Sequence, residues 1–202
     1  MAPDRPLIAV VDDEDGARLS AQWLLEGEGH RVLPFADGEG FLASPLLGRV
    51  GCVLLDMRMP GLGGLDVLRA LAGREDGPSA LVLTGHGDVA MAVEAMKLGA
   101  LDFIEKPYQQ AGLLQAIARA SAFQARRAAR RAAAARVDGL SPRQRAVLSG
   151  IAAGRPNKII AYQLGLSVRT VEAYRAQLFE RLGVRSTAEA VRLALAAGRA
   201  AA

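Results

Sequence analysis

The sequence predicts an α/β half followed by an all-α half, and three observations carry that prediction. Between residues 7 and 120, short apolar runs alternate with longer segments of helical period. Such alternation reads as βα units, which assemble into a parallel sheet covered by helices on both faces. From Leu140 onward the period is purely helical. The charge divides near the same place. Residues 1–117 hold 9 Lys and Arg against 17 Asp and Glu, a net −8, whereas residues 118–202 hold 16 against 4, a net +12. An acidic half joined to a basic half implies two units with different partners, and the basic one carries the footprint of a polyanion binder, with a solvated basic surface as the alternative on charge alone.

In chain order, strands are expected at Leu7–Val11, Arg31–Phe35, Cys52–Leu55, Ala80–Thr84 and Asp102–Glu105. Helices are expected at Ala17–Glu28, Gly38–Leu47, Leu65–Ala72, Val89–Leu98 and from Leu113 onward, with Gly29, Gly51, Gly73, Gly77 and Gly99 at the breaks. The uninterrupted Val53-Leu54-Leu55 suits a strand buried on both faces. Trp23 is expected in the core or at its edge. Ala118 to Asp138 is dominated by Ala and Arg and contains no Gly or Pro, so it reads as a helical linker continuing the helix before it, with a flexible basic tether as the alternative. Its alanines are too small for a strong coiled-coil seam. The expected domains are 1–120, a linker 121–139, and 140–202.

In the second half, Ser141-Pro142 opens a helix as an N-cap followed by proline at the first helical position. Asn157 is expected to cap a short helix, Ser167 to cap Val168–Leu182, Gly183 to stop it and Thr187 to cap the last helix, with Ala196–Ala202 fraying. Two short helices joined by a turn containing Gly165 read as a helix-turn-helix. Cys52 is the one cysteine, so no intrachain disulfide forms. With no stretch approaching the ~20 apolar residues of a membrane span and no secretory pattern at the N-terminus, a reducing cytoplasm is the expected compartment and no membrane partner is expected.

The chemistry-bearing residues follow the strands. Asp12 and Asp13 end the first apolar run, Asp56 ends the third, Thr84 ends the fourth, and Lys106-Pro107 follows the fifth. Parallel strands place their C-termini on one edge, so these groups converge. Gathered carboxylates repel unless a cation sits among them, and Mg²⁺ favours such oxygen donors. One carboxylate can then act as nucleophile towards a phosphoryl group whose charge Mg²⁺ and the Lys106 ammonium neutralise.

Residues 7–120 closely resemble the receiver domain of two-component response regulators. The resemblance rests on Val11-Asp12-Asp13-Glu14, Leu55-Asp56-Met57-Arg58-Met59-Pro60-Gly61, Thr84-Gly85-His86-Gly87 and Asp102-Phe103-Ile104-Glu105-Lys106-Pro107. The segment Thr84–Pro107 is similar to the FixJ subgroup. The resemblance implies a flavodoxin-like (βα)5 receiver with Asp56 as phosphoacceptor. It implies Mg²⁺ held by Asp12, Asp13, Asp56 and the backbone carbonyl of Arg58, with Thr84 and Lys106 on the phosphoryl group. It makes Phe103 the aromatic switch and the Lys106-Pro107 bond cis. Arg58 and His86 occupy positions that tune phosphoryl lifetime in the family, with His86 more simply a loop residue than a catalytic base.

Residues 140–197 resemble the LuxR-type DNA-binding domain, through Leu140-Ser141-Pro142-Arg143, Gly154-Arg155-Pro156-Asn157-Lys158-Ile159-Ile160-Ala161 and Leu166-Ser167-Val168-Arg169-Thr170-Val171-Glu172. This implies a four-helix domain whose recognition helix is Val168–Leu182. Arg169, Thr170, Ala173 and Tyr174 are the candidates for base or groove contact, and Lys158, Arg175, Arg181 and Arg185 for phosphate contact. Val171, Leu178 and Leu182 are spaced for the core, and Glu172 is expected to support the motif. Gln144 stands where many relatives have Glu, and Tyr174 replaces a common His.

Together the resemblances imply a cytoplasmic transcriptional regulator. A sensor histidine kinase phosphorylates Asp56, the chain forms a homodimer through a face near Val89, Val93, Met96 and Lys97, and the dimer binds double-stranded promoter DNA, with RNA polymerase as a further partner. No enzymatic role is expected beyond the receiver's own aspartyl phosphorylation and dephosphorylation. Two rival readings are a constitutive DNA binder whose receiver only docks proteins, and a Mg²⁺-dependent phosphatase. The complete acidic site argues against the first, and the fused basic domain against the second.

Overall fold

The architecture is seen in a computed structural model that describes residues 6–74, 76–85 and 89–198. The chain divides into two compact units, Met1–Gln124 and Ala125–Ala202.

In the first unit, β1 (Leu7–Val11), β2 (Arg31–Phe35), β3 (Val50–Asp56), β4 (Ser79–Thr84) and β5 (Asp102–Glu105) form one parallel sheet in the order β2-β1-β3-β4-β5. The chain leaves β1 towards one edge and resumes at β3 towards the other, so β1 and β3 flank the switch point where α/β sheets open a crevice. Alternation along the strands divides the core. Ala9, Val11, Val53, Leu55 and Val82 pack with Phe41, Val67 and Leu68 from α2 (Gly38–Leu42) and α3 (Gly64–Leu71), and with Ala95 of α4 (Val89–Lys97). On the other face, Ile8, Val10, Cys52, Leu54, Leu81 and Leu83 pack with Ala21 and Leu25 of α1 (Asp15–Gly27) and with Leu113 and Ile117 of α5 (Gln110–Asp138). The sheet is therefore dry on both sides, as its continuous apolar runs require. Cys52 is fully buried, and burial pushes its thiol up to about 12.

Several expected boundaries shift for identifiable reasons. The helix begun at Gly38 ends at Leu42, and Leu47–Arg49 is instead a separate 3-10 turn. Pro45 cannot donate to a continuing helix and disfavours helical geometry at Ser44. The third strand begins at Val50 because the register slips between Leu7 and Ile8, which pair with Val50 and Cys52. Gly51 is the extra residue of that irregularity. Trp23 is not in the core: it is 70% exposed, while Ala21 and Leu25 supply the buried face of α1.

The linker is helical, because α5 runs without interruption from Gln110 to Asp138. Its Ala133 and Val137 join the core of the second unit with Val147, Leu148, Ile151, Ile160, Val171, Leu178, Leu182, Ala190 and Ala194. Those residues come from α6 (Pro142–Ala152), α7 (Asn157–Leu164), α8 (Val168–Leu182) and α9 (Thr187–Ala196). Ser141 and Gln144 form a capping box at the start of α6. The caps of α7 and α9 differ from expectation. Pro156 and Ser186 occupy the N-cap positions, and Asn157 and Thr187 are already helical. Gly165 and Gly183 end α7 and α8 in the left-handed conformation, which glycine adopts at little cost. Ala197 is buried in the core, so the chain stays packed past the end of α9, while residues 199–202 lie outside the described part.

Candidate phosphoacceptor site and DNA-facing helix

The C-terminal ends of β1, β3, β4 and β5 bring the expected groups together. Asp12 and Asp56 are buried and Asp13 is exposed, and an oxygen of each lies within 4.8 Å of the others. Lys106 reaches between them: its Nζ donates to Asp12 Oδ2 at 2.7 Å and to Asp56 Oδ1 at 2.6 Å. The remaining oxygens are held by main chain, with Glu14 N donating to Asp12 Oδ1 at 3.0 Å and Arg58 N to Asp56 Oδ2 at 2.9 Å. Burial opposes the Lys106 charge, but the hydrogen bonds and charges of Asp12 and Asp56 outweigh it and hold the ammonium above its ordinary pKa. Burial likewise pushes the neighbouring Tyr108 phenol up, with the Lys106 charge working against it.

One contributor escaped sequence reasoning. Arg18, in the first turn of α1, donates from Nη1 to the Asp12 carbonyl at 2.6 Å and also pairs with Asp15. It fixes the loop that presents both N-terminal carboxylates, and a lone Arg on an amphipathic helix gives no signal of that in sequence.

The three carboxylates form an all-oxygen donor set that fits a hard divalent cation. Thr84 is buried at the end of β4, and its hydroxyl donates to the Gly85 carbonyl at 3.1 Å. Phe103 on β5 points outward and is 52% exposed. The Lys106-Pro107 bond is cis. Arg58 meets Asp56 through its N–H. His86 lies outside the described residues.

Val89, Val93 and Met96 are exposed, and with Ala92, Lys97 and Phe103 they line an almost wholly apolar groove of about 400 Å³.

In the second unit, α8 presents two sides. Val171, Leu178 and Leu182 are buried, as their spacing requires. Arg169, Glu172, Ala173, Ala176, Gln177, Glu180 and Arg181 are exposed. Glu172 thus stands on the outer face of the helix, with Ala176 and Gln177 beside it, two residues that motif matching alone did not single out. Thr170, Tyr174 and Arg175 are half-buried, and Tyr174 packs against the core. Thr170 is tied to the Ser167 cap, whose hydroxyl accepts from Thr170 N at 3.1 Å. Lys158 and Arg185 are exposed on neighbouring elements.

The family model of the response regulator receiver domain matches residues 8–118, and that of the bacterial regulatory proteins of the luxR family matches residues 138–194. This chain belongs to the FixJ-like response regulators. The transcriptional regulatory protein FixJ of Azorhizobium caulinodans is 44% identical over 200 residues, which cover 97% of this chain and 95% of the relative. Among solved structures, response regulator StyR matches with a TM-score of 0.72 at 36% identity, covering 95% of this chain and 98% of its own. Full-length FixJ from B. japonicum matches with a TM-score of 0.55 at 42% identity, covering 96% and 98%. A receiver joined to a LuxR-type domain makes the chain a two-component transcriptional response regulator, with a sensor kinase upstream and DNA downstream. Among the described residues, no helix is long and apolar enough to cross a membrane.

Proposed function

We propose that Asp56 accepts a phosphoryl group from a sensor histidine kinase and that the phosphorylated chain dimerises on promoter DNA. The observation that carries this reading is the Lys106 ammonium seated between Asp12 and Asp56. An Asp56 oxygen attacks phosphorus, the O–P bond forms, and the P–N bond of the donor phosphohistidine breaks. Lys106 stays within reach of the product and offsets its added charge of about −1.5 to −2. Magnesium, held by Asp12, Asp13, Asp56 and the Arg58 carbonyl, supplies further neutralisation of phosphoryl oxygens when bound. Thr84 exchanges the Gly85 carbonyl for a phosphoryl oxygen, and Phe103 turns inward into the space this vacates. The receiver promotes this chemistry, and the reverse hydrolysis, on its own side chain and turns over no separate substrate.

The inward turn of Phe103 reshapes the groove along α4 and β5, where Val89, Val93, Met96 and Lys97 form the dimer face. Two DNA-binding domains then engage two half-sites, which raises affinity through effective concentration. Arg169, Thr170, Ala173 and Tyr174 read the groove while Lys158, Arg181 and Arg185 contact phosphates. The boundaries proposed are a receiver over 1–120, a linker over 121–139 and a DNA-binding domain over 140–202. The chain acts in the cytoplasm, with RNA polymerase as the partner that promoter-bound dimers recruit.

Light scattering with Mg²⁺ and beryllofluoride tests the switch. Wild type is expected to double its molar mass, and Asp56→Asn to remain at the starting mass. A doubling in Asp56→Asn removes Asp56 from the mechanism.

A further inference from the structure

Arg175 sits on the recognition helix, where a sequence reading makes it a phosphate contact. Its guanidinium is spent elsewhere. Nη1 donates to Asn157 Oδ1 at 2.9 Å, Nη2 donates to Thr187 Oγ1 at 2.8 Å, and the Cζ lies 5.7 Å from the centre of the Phe179 ring one turn on. Asn157 is the first residue of α7 and Thr187 the first residue of α9. One planar fork on α8 therefore fastens the N-termini of both flanking helices. Neither residue caps its own helix, and both side-chain oxygens face Arg175 instead.

We propose that Arg175 is a positioning residue for DNA recognition, fixing the rotation and depth of α8 against α7 and α9 without itself touching DNA. The helix places Arg175 at i+4 from buried Val171 and i−4 from Phe179, on the flank of the core, whereas Arg169, Ala173, Ala176 and Gln177 lie on the exposed face. Base contacts tolerate little misplacement. A small rotation of α8 moves the whole exposed row relative to base edges, while phosphate contacts from flexible Lys and Arg adapt. Loss of the fork therefore lowers discrimination more than general DNA affinity. A lysine cannot replace it, since an ammonium is a point charge and does not span two acceptors in a fixed plane.

This inference rests on the reading of α8 as the DNA-facing helix, and the experiment separates the two. The probes are a duplex recovered from a random library by selection on the beryllofluoride-treated full chain and a random-sequence duplex of equal length. Affinities are measured across a salt series. Arg175→Ala is expected to bind the selected duplex about tenfold more weakly, the scale of one good base contact. Its affinity for the random duplex and its salt slope are expected to match wild type. Arg175→Lys should behave like Arg175→Ala. The double substitution Asn157→Ala with Thr187→Ala, which leaves the charge in place and holds even where Arg175→Ala fails to fold, should reproduce the loss.

A phosphate contact gives the opposite pattern, which overturns the proposal: Arg175→Lys retains wild-type affinity, and Arg175→Ala lowers the salt slope by about 0.9 while weakening both duplexes alike. Unchanged discrimination in the double substitution overturns it as well. Arg169→Ala is the control on the underlying reading. Wild-type binding of both duplexes by that variant means α8 does not face DNA, whatever Arg175 does.

Discussion

Replacing Lys106 with Met removes the ammonium while nearly keeping the side chain's length. Asp12 and Asp56 are then left buried with carboxylate oxygens within 4.8 Å of each other. At that separation and an effective dielectric constant of about 20, two unit charges repel by about 3.5 kcal/mol, a repulsion that the Lys106 ammonium outweighs in the wild type and that stands uncompensated without it. Removing the partner that compensates two buried carboxylates costs about 3 kcal/mol, and that destabilisation is expected in EDTA at pH 8. With a urea slope of about 2 kcal/mol per molar, the unfolding midpoint falls by about 1.5 M. Magnesium should reverse this. A ligand at 100 times its Kd stabilises by about 2.7 kcal/mol, and the variant should gain more from it than wild type, whose lysine competes for the same oxygens. Urea unfolding followed by circular dichroism, with EDTA and with Mg²⁺, measures all four values. A variant as stable as wild type in EDTA, or equal gains from Mg²⁺ in both proteins, refutes the electrostatic account of the site.

Other outcomes follow from the same geometry. Raising the pH through the alkaline range should lower stability, because the folded pKa of Lys106 lies above its unfolded value near 10.4; the pair's contribution is complete below that value and is lost as pH rises through the folded one. A stability profile between pH 9 and 12, compared with Lys106→Met, isolates this term. Cys52, with its thiol pushed up to about 12, should resist a water-soluble disulfide reagent at pH 8 in the folded protein and react at once in denaturant. A methyl group added in Gly150→Ala meets Ile160 Cγ1 at 2.7 Å and Cδ1 at 2.9 Å, so this variant should lose about 1–3 kcal/mol, with partial rescue by Ile160→Val, which removes Cδ1. Val93→Arg should leave the unphosphorylated molar mass unchanged and abolish the doubling on beryllofluoride, which light scattering reads directly.

The strands and the acidic cluster were legible because both depend on short-range signals. An apolar run that stops at Asp, Thr or Lys marks a strand end, and parallel pairing brings such ends to one edge without further information. Reading failed where a residue's partner is distant in sequence. On α1, Leu19 and Trp23 share the spacing of Ala21 and Leu25, and helical period alone does not say which pair the sheet covers. Asn157 and Thr187 carry cap-forming side chains, but Arg175 takes both, and the caps fall one residue earlier. The early start of β3 depends on Gly51 being absorbed against Leu7 and Ile8, a property of two strands rather than one.

The apolar trough along α4 and β5 also sets how the protein behaves when crowded. A bare greasy surface invites indiscriminate clumping in every copy that awaits its signal, yet this one belongs to a half of the chain carrying a net −8 over residues 1–117. Two acidic halves that meet groove to groove repel each other, a colloidal brake on pairing through this face alone. That brake weakens as ions screen it, over a Debye length of about 8 Å at physiological salt. Ionic strength thus sets how quietly the idle molecule keeps to itself.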